Sequence, residues 1–161
     1  MIRHAQAEDM DTILGIYTVA RRYMADHGNK TQWAGSYPDR QTLTRDIQNR
    51  QLFVCVEGGA IHGVFAFIIG PDATYARIEN GAWKNDAPYG TIHRVASDGK
   101  TRGIFQECLE FCRRQISNLR IDTHHDNRTM RHLIEKNGFE TCGIICTGDG
   151  TPRIAYQYTG A

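Results

Sequence analysis

Long apolar runs are missing from this chain. The longest uninterrupted one, Val64 to Ile69, falls far short of the roughly 20 residues that span a bilayer. An excess of either charge is missing too: 19 Lys and Arg against 18 Asp and Glu leave a formal net charge of +1. The signs are interspersed, whereas nucleic-acid binders gather a basic face, so neither nucleic acid nor membrane is expected as a partner. The opening residues Met1-Ile2-Arg3-His4 lack the apolar core of a signal peptide, and a cytoplasmic location is the expectation. No Cys-x-x-Cys pair occurs among the five cysteines. An odd number at these positions is no disulfide framework, and a zinc site combining them with His124, His125 and His132 has little support beside buried cysteines acting as small hydrophobes. No metal is expected.

What remains is ordinary globular composition, with 40% hydrophobic and 23% charged residues. A length of 161 residues, without repeat, low-complexity segment or linker, predicts one domain over 1–161.

The hydrophobic period changes along the chain. A short strand at residues 2–5 precedes a helix from about Asp9, a plausible N-cap, to His27. Its residues Ile13, Ile16, Tyr17, Ala20 and Met24 recur at helical spacing, and Gly28 stops it. After a loop carrying Trp33 and Tyr37, a second helix is predicted over 39–50, with Leu43 and Ile47 inward. Residues 52–57 and 60–69, joined by Gly58-Gly59, read as a β-hairpin. Residues 70–86 are ambiguous, with a short strand or turn near 75–78, and 88–97 form a further strand. The last third predicts a helix over 101–115, a strand over 119–123, a helix over 127–137 ended by Gly138, and strands over 139–146 and 153–158 around Gly148-Asp149-Gly150. Strands and helices in this irregular order imply an α/β (α+β) fold with a mixed sheet flanked by helices.

The segment Lys100-Thr101-Arg102-Gly103-Ile104-Phe105 has the chemistry of an anion cradle. Backbone N–H groups at a helix start face an anion, glycine allows close approach, and two cations add charge. With the stretch Gly90 to Ser97, the run Leu119 to Asn127 and the ending Glu135-Lys136-Asn137-Gly138-Phe139, it resembles the GNAT N-acetyltransferase family over essentially the whole chain. The resemblance implies a central mixed, mostly antiparallel sheet of six or seven strands flanked by four helices, with acetyl-CoA as co-substrate. The family's pyrophosphate loop reads Gln/Arg-x-x-Gly-x-Gly/Ala; here Lys100 stands first and Phe105 replaces the final small residue. By the same resemblance Arg94, Val95 and Ala96 meet the pantetheine arm through main-chain groups. The Val95 N–H would stabilise the oxyanion of the transfer step, and Asn127 and Met130 also lie against the cofactor. Asn is equally a favoured N-cap, and both roles are compatible.

Transfer to an amine needs a base, and His93 and Glu79 are the candidates. Imidazole titrates near neutrality, whereas a carboxylate could instead hold the acceptor's positive charge. The family's Tyr just before the Glu-Lys-x-Gly-Phe ending is Ile134 here; Tyr156, His124 and Cys142 are alternative acids, or the thiolate leaves unassisted. Trp33, Tyr37 and Trp83, with Gln32 and Tyr75, are candidate walls of an acceptor site, although Trp33 packed against the sheet is an equal reading. The implied function is acetyl transfer from CoA to an amine of a small molecule or peptide. A catalytically weak acyl-CoA sensor or scaffold is the alternative, and a homodimer is compatible with the apolar C-terminal strands.

Overall fold

Period-two runs and helical stripes resolve into seven strands and four helices in the computed structural model, which describes residues 1–160. The strands are β1 (Ile2–His4), β2 (Leu52–Glu57), β3 (Ala60–Ile69), β4 (Gly90–Ser97), β5 (Leu119–Thr123), β6 (Glu140–Cys146) and β7 (Pro152–Tyr158). The helices are α1 (Met10–Asp26), α2 (Arg40–Gln48), α3 (Ile104–Gln115) and α4 (Arg128–Lys136). One mixed, mostly antiparallel sheet runs in the order β1-β2-β3-β4-β5-β7-β6. Its parallel pair joins Gly90 of β4 to Leu119 and Thr91 to Arg120 of β5. By contact density the chain forms two compact units, residues 1–67 with 93–111 and residues 68–92 with the chain from 112 onward.

In the first unit β2 is buried almost throughout because both of its faces are covered, the pattern expected of a central strand. Leu52 and Val54 join Val64 and Ala66 of β3 in a core with Ile13, Ile16 and Tyr17 of α1 and Leu43 of α2. Each fully buried aliphatic side chain there contributes on the order of 2 kcal/mol. Phe53 stacks on Phe65 at a centroid distance of 5.4 Å and meets Phe111 at a tilt at 5.0 Å, and the Cys55 and Cys108 sulfurs lie 3.7 Å apart as free thiols. The hairpin turn takes φ of 59° at Gly58 and 80° at Gly59, the left-handed pair that two-residue hairpins require.

One local expectation is corrected here. Asp9 does not cap α1 with its side chain; it accepts from the Gln6 N–H at 2.8 Å and pairs with Arg3. A short 3-10 turn, Ala7–Asp9, intervenes and starts the α-helix at Met10. Asp46, three residues after Leu43 on the inward stripe of α2, is also buried.

In the second unit β7 pairs antiparallel with both β5 and β6. The ambiguous segment is a 3-10 turn, Ala73–Tyr75, followed by irregular chain that makes a single bridge between Glu79 and Ile144. That bridge needs Gly143, because a Cβ there would sit 2.6 Å from the Glu79 carbonyl oxygen. The Arg120 guanidinium lies between the rings of Trp83 and Tyr89, 4.0 and 3.9 Å from their centroids, a stacked cation–π arrangement that fixes this irregular chain to β5. Of the five cysteines, Cys146 is exposed, against the expectation that all would be buried; the others are buried.

Candidate active site

Residues 98–103 link β4 to α3 and form a tight turn. Gly99 and Gly103 adopt φ of 75° and 78°, conformations that strain any residue with a Cβ. Nothing lies within 4 Å of where a Cβ would stand at either glycine. The Gly103 carbonyl accepts from the Glu107 N–H at 3.0 Å and so opens α3. The N–H groups of the first helical turn then have no partner inside the helix. Lys100 and Arg102 are exposed beside them, while Ile104 and Phe105 are buried. Phe105, which departs from the family's small residue, therefore points into the core and leaves the turn open. Helix-start N–H groups, two cations and open glycines suit a pyrophosphate.

The turn is seated on β3. Gly63 accommodates Ile104, since a Cβ at Gly63 would come within 2.6 Å of Ile104 Cγ2. Asp98 donates its N–H to the His62 carbonyl at 3.0 Å and receives the His62 ring Nδ1 at 2.8 Å. Its other oxygen accepts the Lys100 N–H at 2.9 Å. Burial raises the Asp98 carboxyl, but the Lys100 N–H and His62 outweigh it and hold it below the usual carboxylate value.

On β4 the expected contributors His93, Arg94 and Val95 are half-buried and Ala96 is buried. Arg94 takes φ 53°, the left-handed region, within the strand. Two attachments in the same unit hold this kink. The Tyr17 hydroxyl donates to the Arg94 carbonyl at 2.7 Å. The Arg94 guanidinium pairs with Asp46 through Nη2 at 2.8 Å and Nε at 3.0 Å, and donates to the Tyr37 hydroxyl at 3.4 Å. Burial opposes the charge on Arg94, and the Asp46 carboxylate more than restores it. Burial drives the Tyr17 phenol far above its ordinary range, so it serves as a fixed donor. The Leu43, Asp46, Ile47 spacing on α2 is the sequence signal for Asp46, whereas nothing local marks the role of the Arg94 side chain.

The candidate acceptor walls divide. Trp33 is 9% exposed and meets the Tyr17 ring edge-on at 5.5 Å, so the packing reading describes its ring. It also lines a cavity of about 260 Å³ with Arg21, Arg22, Asn29 and Lys30. Tyr37 is exposed, with its hydroxyl on Arg94. In the second unit Trp83 donates to the Tyr75 carbonyl at 2.9 Å and stacks on Arg120. Tyr75 is a core residue, 2% exposed, donating to Asp122 at 2.6 Å.

Also in the second unit, Glu79 is exposed and pairs with Arg77 at 3.1 Å. Asn127 caps α4 by accepting the Met130 N–H at 3.1 Å, and Met130 is half-buried. Ile134 is fully buried, so α4 offers no hydroxyl at that place. The Tyr156 hydroxyl lies 3.3 Å from Glu135, the Cys142 thiol is pushed up by burial, and His124 accepts the Asp126 N–H at 3.0 Å. Among the described residues no three His, Cys, Asp or Glu side chains gather to hold a metal ion, and no helix is long and apolar enough to cross a membrane.

No family model matches the chain, and no curated protein does. Solved structures do. A GNAT-family acetyltransferase from Streptococcus agalactiae 2603 is 32% identical, with a TM-score of 0.90 over 98% of this chain and 94% of that one. A GNAT-family acetyltransferase from Listeria monocytogenes 4b F2365 is 19% identical, with a TM-score of 0.69 over 98% and 92%. A ribosomal-protein-alanine N-acetyltransferase from Brucella melitensis is 20% identical, with a TM-score of 0.64 over 98% of each chain. Fold and relatives together define an enzyme of the N-acetyltransferase class. The chain belongs to the GNAT acetyltransferase family.

Proposed function

We propose that this protein transfers an acetyl group from acetyl-CoA directly to an amine of a small molecule or peptide. The observation that carries the reading is the turn over residues 98–103, where the exposed Lys100 and Arg102 flank the glycine-opened start of α3. Its N–H groups and cations hold the pyrophosphate. The main chain of Arg94, Val95 and Ala96 receives the pantetheine amides. Acetyl-CoA supplies the activated thioester when bound. The Val95 N–H donates to the thioester oxygen, and the kink at Arg94 sets its direction.

The base that takes the proton of the acceptor ammonium is His93, directly or through water, or in its place Glu79, a carboxylate that could instead hold the acceptor's charge. With Ile134 buried, the CoA thiolate leaves without a tyrosine donor from α4, which suits a thiol of ordinary acidity. Tyr37, whose hydroxyl accepts from the Arg94 guanidinium, forms part of the acceptor wall. A single domain acting in the cytoplasm completes the reading.

The test is release of CoA from acetyl-CoA across a panel of small amines and short peptides, repeated with His93→Ala and Glu79→Ala. Turnover on one acceptor class, with kcat lowered about 100-fold by loss of the base, supports the reading. CoA binding without turnover on any amine contradicts it.

A further inference from the structure

We propose that His62 is a positioning residue for the CoA loop: its ring N–H, given to Asp98, fixes the turn that presents the helix-start donors and Lys100. The inference rests on reading residues 100–105 as the pyrophosphate site.

Two contacts tie His62 to Asp98 in a clasp, and a third ties Asp98 to Lys100. The Asp98 N–H meets the His62 carbonyl at 3.0 Å, the ring Nδ1 meets Asp98 Oδ2 at 2.8 Å, and Asp98 Oδ1 takes the Lys100 N–H at 2.9 Å. A carboxylate only accepts, so His62 Nδ1 carries the proton in this pair. Both side chains are largely covered, at 20% and 13% exposure, where a charged hydrogen bond is less screened than at the surface. Ser97 adds a fourth contact by accepting the Gly99 N–H at 3.0 Å.

The clasp matters because Asp98 is an anion beside a site built for anions. It stays ionised, since the Lys100 N–H and His62 outweigh the burial that opposes its charge. The His62 ring holds one oxygen and the Lys100 N–H the other, which fixes where this negative charge lies relative to Lys100 and Arg102, the cations that the pyrophosphate needs. Released from His62, it becomes an internal competitor for them. The next residue of β3, Gly63, admits Ile104 at the far end of the same turn. Two consecutive residues of β3 thus fix the turn at both ends, one by a hydrogen bond and one by a missing side chain.

The test is CoA affinity by calorimetry, with KM and kcat where an acceptor is known, for the wild type, His62→Ala, His62→Leu and His62→Asn. Loss of a charge-assisted hydrogen bond predicts about tenfold weaker CoA binding in the Ala and Leu variants, with kcat at saturating acetyl-CoA within about twofold. The Asn amide can donate where Nδ1 did, so His62→Asn should recover affinity to within about twofold, and protection of the Lys100 amide from hydrogen exchange should follow the same order. If His62→Ala does not fold, His62→Leu, which keeps apolar bulk, decides. Folded Ala or Leu variants with wild-type CoA affinity overturn the inference, as does an Asn variant no better than Leu. A wild type that binds no CoA overturns the reading of the loop itself.

Discussion

Arg94 carries a conformational cost that neighbouring side chains offset. A non-glycine residue at φ 53° costs roughly 1 kcal/mol, and the buried pair with Asp46 and the Tyr17 hydrogen bond hold it there. Removing one partner of a buried ion pair strands the other. Asp46→Ala should therefore lower the unfolding free energy by about 3 kcal/mol in denaturant titration, and a loss below about 1 kcal/mol would contradict this role for the pair. His4 sets an expectation for pH. Its ring lies 4.5 Å from that of Phe53 and its Nδ1 is buried without a partner. Burial first, and Arg50 second, hold its pKa below the ordinary 6.5. The unfolded chain therefore takes up this proton more readily, and stability should rise with pH from the lowered folded value up to about 6.5. In His4→Phe the Tm difference between about pH 5.5 and 7.5 should shrink; an unchanged difference rules His4 out as a source. At this scale the sequence was least legible. Arg94 was read as main chain alone, and the His62–Asp98 pair spans 36 positions with no periodic signal.

Among the elements, those with a strong period were legible and those set by contact were not. The Gly58-Gly59 hairpin and the stripe of Phe105, Cys108, Leu109 and Cys112 on α3 could be read directly, because two-residue turns and buried helix faces leave local marks. Residues 70–86 leave none. Their path depends on Gly143 meeting Glu79 and on Arg120 between Trp83 and Tyr89, contacts between distant parts of the sequence. Gly143→Ala forces a Cβ against backbone that cannot yield cheaply, and should cost about 2 kcal/mol of stability. Gly63→Ala meets instead the Ile104 side chain, with Cys55 Sγ at 3.3 Å and the Ala96 carbonyl at 3.4 Å. It should cost about 1 kcal/mol and weaken CoA binding by lifting the start of α3, although no charge is altered. Unchanged CoA affinity in a folded Gly63→Ala protein would show that the seat of the turn is not what shapes it.

For the whole molecule, the order of strands and helices was the most legible property, because each short element had its own period and the sum of weak matches fixed one architecture. The seven-stranded sheet follows the expectation, as does the family. The acceptor was not legible, since substrate contacts come from loops whose placement no local pattern sets. The cofactor reading rests instead on charge and glycine geometry between β4 and α3. Its most direct test is calorimetric titration of CoA into the wild type and a Lys100→Ala, Arg102→Ala double variant. Stoichiometric binding by the wild type, weakened about 10- to 100-fold in the folded double variant, is the expected result. Equal affinity in the two proteins, or no binding by the wild type, would contradict a pyrophosphate site at this turn.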